Sequence, residues 1–426
     1  MIGIIRKSQV SYLSLFFLLM AMYSMGTVSA ITTSWSVTIA LMLLSVVVLL
    51  MGRVNRNVVK CNVIHIAWML LMLLCLYGVL RGNSATSFII YFLCFLFLLI
   101  SDQIGIGAVI SSIKCLPLFG VIFAAGCYWQ YLFPDQYYNN LYPRFGALYQ
   151  QSIRRQFTFH KMCTGFTAQT AVAAQFIVLG LMAIVYLFPL WKARKKRVLS
   201  IIGIILLSGG LLLTGKRSPI LNIGAAFISV DLISVKREKK LNGIMVIALG
   251  LIGVLLALYI LAPMLLNSRN AVVRILEYFN TDDSGDISNG RVALIQNAYS
   301  EFMSHPVMGI GWGTFSKTYS ITGAHNIYLQ LLCECGVVGF ILVVSAMLFV
   351  LSNTVKLLKR YCIEYKGILA QISLKCSAFI QIYILVYGFF GNPIYDYNYI
   401  LMYFLGLLFA SICFSHMIRN NYRKVR

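Results

Sequence analysis

Residues 198–235 read VLSIIGIILLSGGLLLTGKRSPILNIGAAFISVDLISV. Two apolar runs, 198–214 and 219–235, are joined only by the connector TGKRSP, residues 214–219. Each run approaches the roughly 20 residues that an α-helix needs to cross a bilayer. The basic clusters WKARKKR and VKREKK flank the pair. Positive charge collects in cytoplasmic connectors, so this stretch reads as a helical hairpin with its turn on the far side of a membrane.

The rest of the chain follows the same rule. Of 426 residues, 60% are hydrophobic and 11% charged, where a soluble domain carries about 45–50% and about 25%. There is too little polar surface to coat a water-soluble globule, which excludes a soluble enzyme, a secreted domain and a disordered protein. Spans are predicted near 9–30, 34–52, 63–80, 86–101, 113–133, 166–190, 198–214, 219–235, 244–266, 326–352, 369–390 and 398–416. The expected fold is an all-α integral membrane protein of about 12 transmembrane helices, one polytopic domain over 1–426. The N-terminus reads as a retained first span.

The net charge is +23. About 24 of the 35 Lys and Arg fall on one side of the predicted topology, which makes that side, with both termini, cytoplasmic. No zinc finger or basic-aromatic array accompanies the charge, so nucleic acid is not an expected partner; the bilayer is. The 11 cysteines are scattered through apolar runs, without the spacing of a disulfide framework or a zinc site. No metal and no cofactor is expected.

Two external loops exceed mere connectors: 134–165 and 267–325. Residues 289–304 (NGRVALIQNAYSEFMS) place Val292, Ile295, Ala298, Tyr299 and Phe302 on one helical face, with Asn289 as cap and His305-Pro306 as terminator. This predicts a short helix lying on the outer membrane surface, with Arg291 in its first turn. GIGWGTF, residues 309–315, follows no strand and reads as a flexible turn.

In TGKRSP, Ser218-Pro219 reads as a helix N-cap followed by the first helical residue. Lys216 and Arg217 beside a helix N-terminus are suited to a phosphate. Arg154, Arg155 and Arg291 are further external cations, and an acceptor of two phosphates needs several of them. His325 stands where the long loop meets the next span, and an imidazole titrating near 6.5 suits general-base work. Trp129, Tyr137, Tyr138 and Tyr142 read either as sugar-stacking side chains or as an interfacial aromatic belt.

The ordered set of TGKRSP, NGR, HPVMGIGWGTF and AHNIYLQLLCECGVVGF resembles the signature region of the O-antigen ligase and polymerase superfamily, over residues 212–345. The resemblance implies a GT-C-like membrane glycosyltransferase of the bacterial plasma (inner) membrane, with its active site facing outside. It implies transfer of a glycan from undecaprenyl diphosphate to an acceptor sugar hydroxyl, without metal. By position, Arg217 and Arg291 would hold the donor diphosphate, with Lys216, Arg154 and Arg155 near it. His325 would be the base, and Asn326, Gln330 and Glu334 would orient it or the sugars. A Wzy-type polymerase of lipid-linked repeat units is the first expectation, with a flippase and a chain-length regulator as partners. A ligase acting on a lipid A core or protein is the alternative. A flippase or transporter is the third reading, disfavoured because the polar material lies in loops rather than at the midplane.

Overall fold

The computed structural model describes residues 7–52, 62–234, 291–319, 323–362 and 367–425. Every regular element among them is helical. In chain order these are α1 (Lys7–Gly26), α2 (Ser36–Met51), α3 (Val63–Leu80), α4 (Ala85–Ile100), α5 (Ile106–Leu132), α6 (Pro134–Asn140), α7 (Ala147–His160) and α8 (Thr170–Leu187). There follow α9 (Arg194–Leu213), α10 (Arg217–Ser234), α11 (Arg291–Ser304), α12 (Thr314–Thr318), α13 (Ile327–Arg360), α14 (Ile368–Tyr387) and α15 (Tyr397–Val425). Nine helices among the described residues are long and apolar enough to cross a membrane, and α2 is a shorter apolar helix. The predicted span at 244–266 lies outside the described residues. The chain is thus an all-helical integral membrane protein.

The helices fall into two compact units. One comprises Met1–Leu18, Ile39–Val109 and Ser284–Arg426, the other Leu19–Thr38 and Ile110–Asp283. In the first, buried Trp68 on α3 donates its indole N–H to the Tyr91 carbonyl of α4 at 2.9 Å. Tyr91 in turn donates to the Ile394 carbonyl at 2.6 Å. Ser377 on α14 donates to the Gly406 carbonyl of α15 at 2.6 Å. In the second, α5 and α8 approach so closely that a Cβ on Gly120 would lie 3.0 Å from the Gly180 Cα. Small residues permit this packing, which lipid-embedded helices need for lack of a hydrophobic drive between them.

One helix is not continuous. α13 is broken at Gly336, where φ is 63° and ψ −172°. Gly336 is buried, and a break at a buried position strands backbone groups that need partners within the protein. The segment HPVMGIG, 305–311, supplies the partners. Ile310 N–H donates to the Cys333 carbonyl at 3.0 Å and Gly311 N–H to that of Glu334 at 2.8 Å. On the far side of the break, Val337 N–H donates to the Pro306 carbonyl at 2.8 Å and Val338 N–H to that of Val307 at 3.4 Å. The expectation of a flexible turn at 309–315 is therefore corrected: this loop is bonded along its length to a broken membrane helix. Glycine is needed for two reasons at once. Gly309 has φ 67°, and a Cβ there would sit 2.3 Å from the Glu334 carbonyl carbon. At Gly336 the same atom would sit 2.1 Å from the Val307 oxygen.

Gly336→Ala should therefore lower thermal stability in detergent by at least about 2 kcal/mol, from combined clash and positive φ. Gly224→Ala, inside α10 where nothing lies within 4 Å of the added carbon, should not lower the melting temperature, since alanine is the better helix former. A differential scanning fluorimetry comparison of the two decides it.

Candidate active site

In the first unit, the polar groups converge on α13. Asn326 is its N-cap, with the side-chain oxygen accepting from Tyr328 N–H at 3.0 Å and Leu329 N–H at 3.1 Å. Such a cap satisfies donors that the first turn of a helix leaves free. Ile327 N–H donates to the Gly388 carbonyl at 2.8 Å, so the start of α13 is tied to the end of α14. One residue before the cap, His325 is half-buried and held in the left-handed region at φ 55°.

Glu334 is fully buried on α13. A carboxylate in that setting needs strong donors. It has them: Gly313 N–H at 2.6 Å, Phe315 N–H at 3.0 Å and the Gln330 amide at 3.3 Å. Gly313 and Phe315 open α12, so the carboxylate sits on the positive end of that short helix. The Tyr395 hydroxyl is buried beside the same carboxylate, without an aligned hydrogen bond. Gln330 links Glu334 to the histidine: its oxygen accepts from Ala324 N–H, the residue before His325, at 3.0 Å.

Arg291 opens α11, and its side chain is exposed. It lies within electrostatic reach of Tyr387, the last residue of α14. Arg291 is thus within electrostatic reach of the end of α14, and His325 stands two residues before Ile327, which is bonded to Gly388. The expected cap Asn289 lies outside the described residues, whereas His305-Pro306 ends α11 as expected.

Lys216, Arg217, Arg154 and Arg155 belong to the second unit. Helix α10 begins at Arg217, so Ser218 and Pro219 lie inside its first turn, rather than forming its cap and first residue as expected. Proline is tolerated there because the first N–H groups have no partner within the helix. Gly215 turns the chain at φ 66°, and a Cβ there would lie 2.4 Å from the Met162 Cγ. Cys163 N–H donates to the Leu213 carbonyl at 2.9 Å. The basic turn is thereby seated on the start of the loop that follows α7. Lys216 and Arg217 are half-buried there, while Arg154 and Arg155 are exposed on α7.

The four aromatic candidates, Trp129 on α5 and Tyr137, Tyr138 and Tyr142 beyond it, divide by role. Tyr137 is fully buried and donates to the Gly165 carbonyl at 2.8 Å, so it is core and presents no face for stacking. Trp129, Tyr138 and Tyr142 pack around it half-buried. Burial pushes the Tyr138 phenol up to about 12, with the nearby Arg154 charge acting the other way.

The segment 388–396, GFFGNPIYD, is absent from the sequence-based site. It contributes the Gly388 carbonyl, and its Asn392 Nδ2 would lie 2.7 Å from a Cβ on Gly323. Its signal is a Gly, Asn and Pro cluster between the last two spans, which reads as a plain connector.

These features define a polytopic helical membrane protein whose polar site is built around a broken span and the loop that pairs with it. Residues 202–344, about a third of the chain, match the family described as O-antigen ligase. No curated protein matches the chain. The matched residues include the Arg217 turn, α11, the glycine loop, His325 and Glu334.

Glu334→Gln should destabilise the protein by about 2–4 kcal/mol, because an amide nitrogen would face an N–H donor that the carboxylate accepts. Gln330→Leu, which frees Ala324 while leaving the two backbone bonds to Glu334, should cost less. Thermal melts of the purified variants rank them.

Proposed function

We propose that this chain is a glycosyltransferase moving a glycan from undecaprenyl diphosphate to an acceptor sugar hydroxyl on the outer face of the bacterial plasma membrane. The observation that carries the reading is the backbone-fixed placement of His325 by Ala324, Asn326 and Ile327, in a segment of O-antigen ligase type.

In this reading the acceptor hydroxyl attacks the anomeric carbon of the donor while its proton passes to His325. The bond from that carbon to the diphosphate breaks with inversion. The diphosphate leaves carrying its charge, which Arg217 and Arg291 stabilise, with Lys216, Arg154 and Arg155 adding positive field. Placed cations act most strongly on charge that develops during the step. Asn326, Gln330 and Glu334 serve as positioning residues for His325 and for the loop beside it.

Joining lipid-linked repeat units, with a flippase and a chain-length regulator as partners, is the polymerase form of this reaction. It is favoured by the AHNIYLQLLCECG block. The ligase form, with a lipid A core or protein as acceptor, is favoured by the description of the matched family.

Glycan ladders from cells making the lipid-linked repeat test both. Arg217→Ala, Arg291→Ala and His325→Ala should each reduce product by at least about 100-fold, the size expected for losing a charge stabiliser or base. Single repeats left on the acceptor mark a polymerase, and long chains stranded on the lipid diphosphate mark a ligase. Wild-type ladders in Arg217→Ala and His325→Ala would overturn the reading.

A further inference from the structure

Helix α11 presents three faces. Leu294 and Ala298 pack with Leu329 and Cys333 of α13. Gln296, Ser300 and Ser304 form an exposed polar line four residues apart. Between these runs a third line, Val292, Ile295, Tyr299 and Met303, spaced three or four residues apart and therefore contiguous. These four side chains are 41–58% exposed: Val292 52%, Ile295 41%, Tyr299 55%, Met303 58%. The line continues past the helix end into Val307 and Met308, also exposed.

What covers this stripe is indicated by where it leads. Val307 is bonded to Val338, just beyond the break in α13. From Val337 onward α13 carries its own exposed apolar surface at Val337, Val338, Ile341 and Leu342. The helix from 337 to 354 rises about 27 Å, close to the hydrocarbon thickness of a bilayer, before reaching the basic run VKLLKR. The break at Gly336 thus falls at the boundary of the hydrocarbon, on the side away from that basic run. The stripe on α11 is continuous with the lipid-facing surface of α13 at that boundary.

We infer that α11 is a membrane-docked interfacial helix, whose stripe from Val292 to Met308 is covered by lipid acyl chains while Gln296, Ser300 and Ser304 face water. A helix with one apolar and one polar exposed face is stable in that plane. Arg291, at the helix start, then stands in the headgroup layer. If the proposed function holds, a lipid-linked diphosphate meets Arg291 there without leaving the membrane.

The test reads the position of the helix and is independent of any glycan transfer. Full-length protein carries Cys61→Ser, Cys115→Ser and Cys362→Ser; the remaining cysteines described are buried. Single probes are attached through Met303→Cys, Val307→Cys or Ser300→Cys, all exposed sites. NBD fluorescence is measured in phosphatidylethanolamine–phosphatidylglycerol vesicles with and without doxyl-labelled acyl chains. Labels at 303 and 307 should be blue-shifted and quenched at least about threefold more than the label at 300. Solvent-like, unquenched emission at 303 and 307 would overturn the docking. Equal quenching at all three positions would also overturn it, since the polar face would then be immersed.

Discussion

A buried backbone has no solvent to fall back on when its helix is interrupted. At buried Gly336 the chain leaves helical geometry, and the groups released on either side must find partners in the protein. Four backbone bonds from residues 306–311 meet that requirement. Much of the polar architecture follows from this pairing. It fixes where α11 ends, it brings Gly313 and Phe315 over α13, and it leaves their N–H groups facing the carboxylate of Glu334. The acid is then a consequence of the break. An apolar residue at 334 would leave the start of α12 without its acceptor, and an acid without α12 would be an unpaired buried charge.

The spans were legible because lipid imposes a simple rule. A run near 20 residues with few charges has one stable conformation in hydrocarbon, and the described helices coincide with the predicted runs to within a few residues at most ends. The Asn326 cap and the His305-Pro306 stop were legible for a similar reason, since each depends on a local bond or its loss. The break at Gly336 was not. A glycine in CECGVVGF is ordinary in a membrane helix, and only the approach of Val307 from thirty residues upstream shows that this one must adopt a positive φ.

The site shows the same division. His325 is legible from its place at a helix entry, and the resemblance adds Asn326, Gln330 and Glu334 on the helix that follows. The order of their linkage, from Glu334 through Gln330 to Ala324, depends on rotamers that spacing alone does not determine. Tyr137 sits in an aromatic-rich loop where its neighbours are equally suited to core or surface, and its burial is decided by Gly165 and Thr164. The segment at 388–396 was not legible because the bond that ties it to the start of α13 is made by the Gly388 carbonyl, a group every residue type carries.

The conformation of His325 draws these strands together. A non-glycine residue with positive φ carries a cost of about 1–2 kcal/mol, though histidine is among the residues more often found there. It persists where the surroundings overdetermine it. Here the residue before it is held by Gln330, the residue after it is committed to capping α13, and Ile327 is bonded to Gly388. With both neighbours fixed by separate bonds, the histidine backbone has little freedom left. Those bonds trace back through Gln330 and Glu334 to the loop at the broken helix. An imidazole placed this way depends on the break in the membrane span as much as on its own loop, and a group meant to receive a proton at one geometry gains from that rigidity.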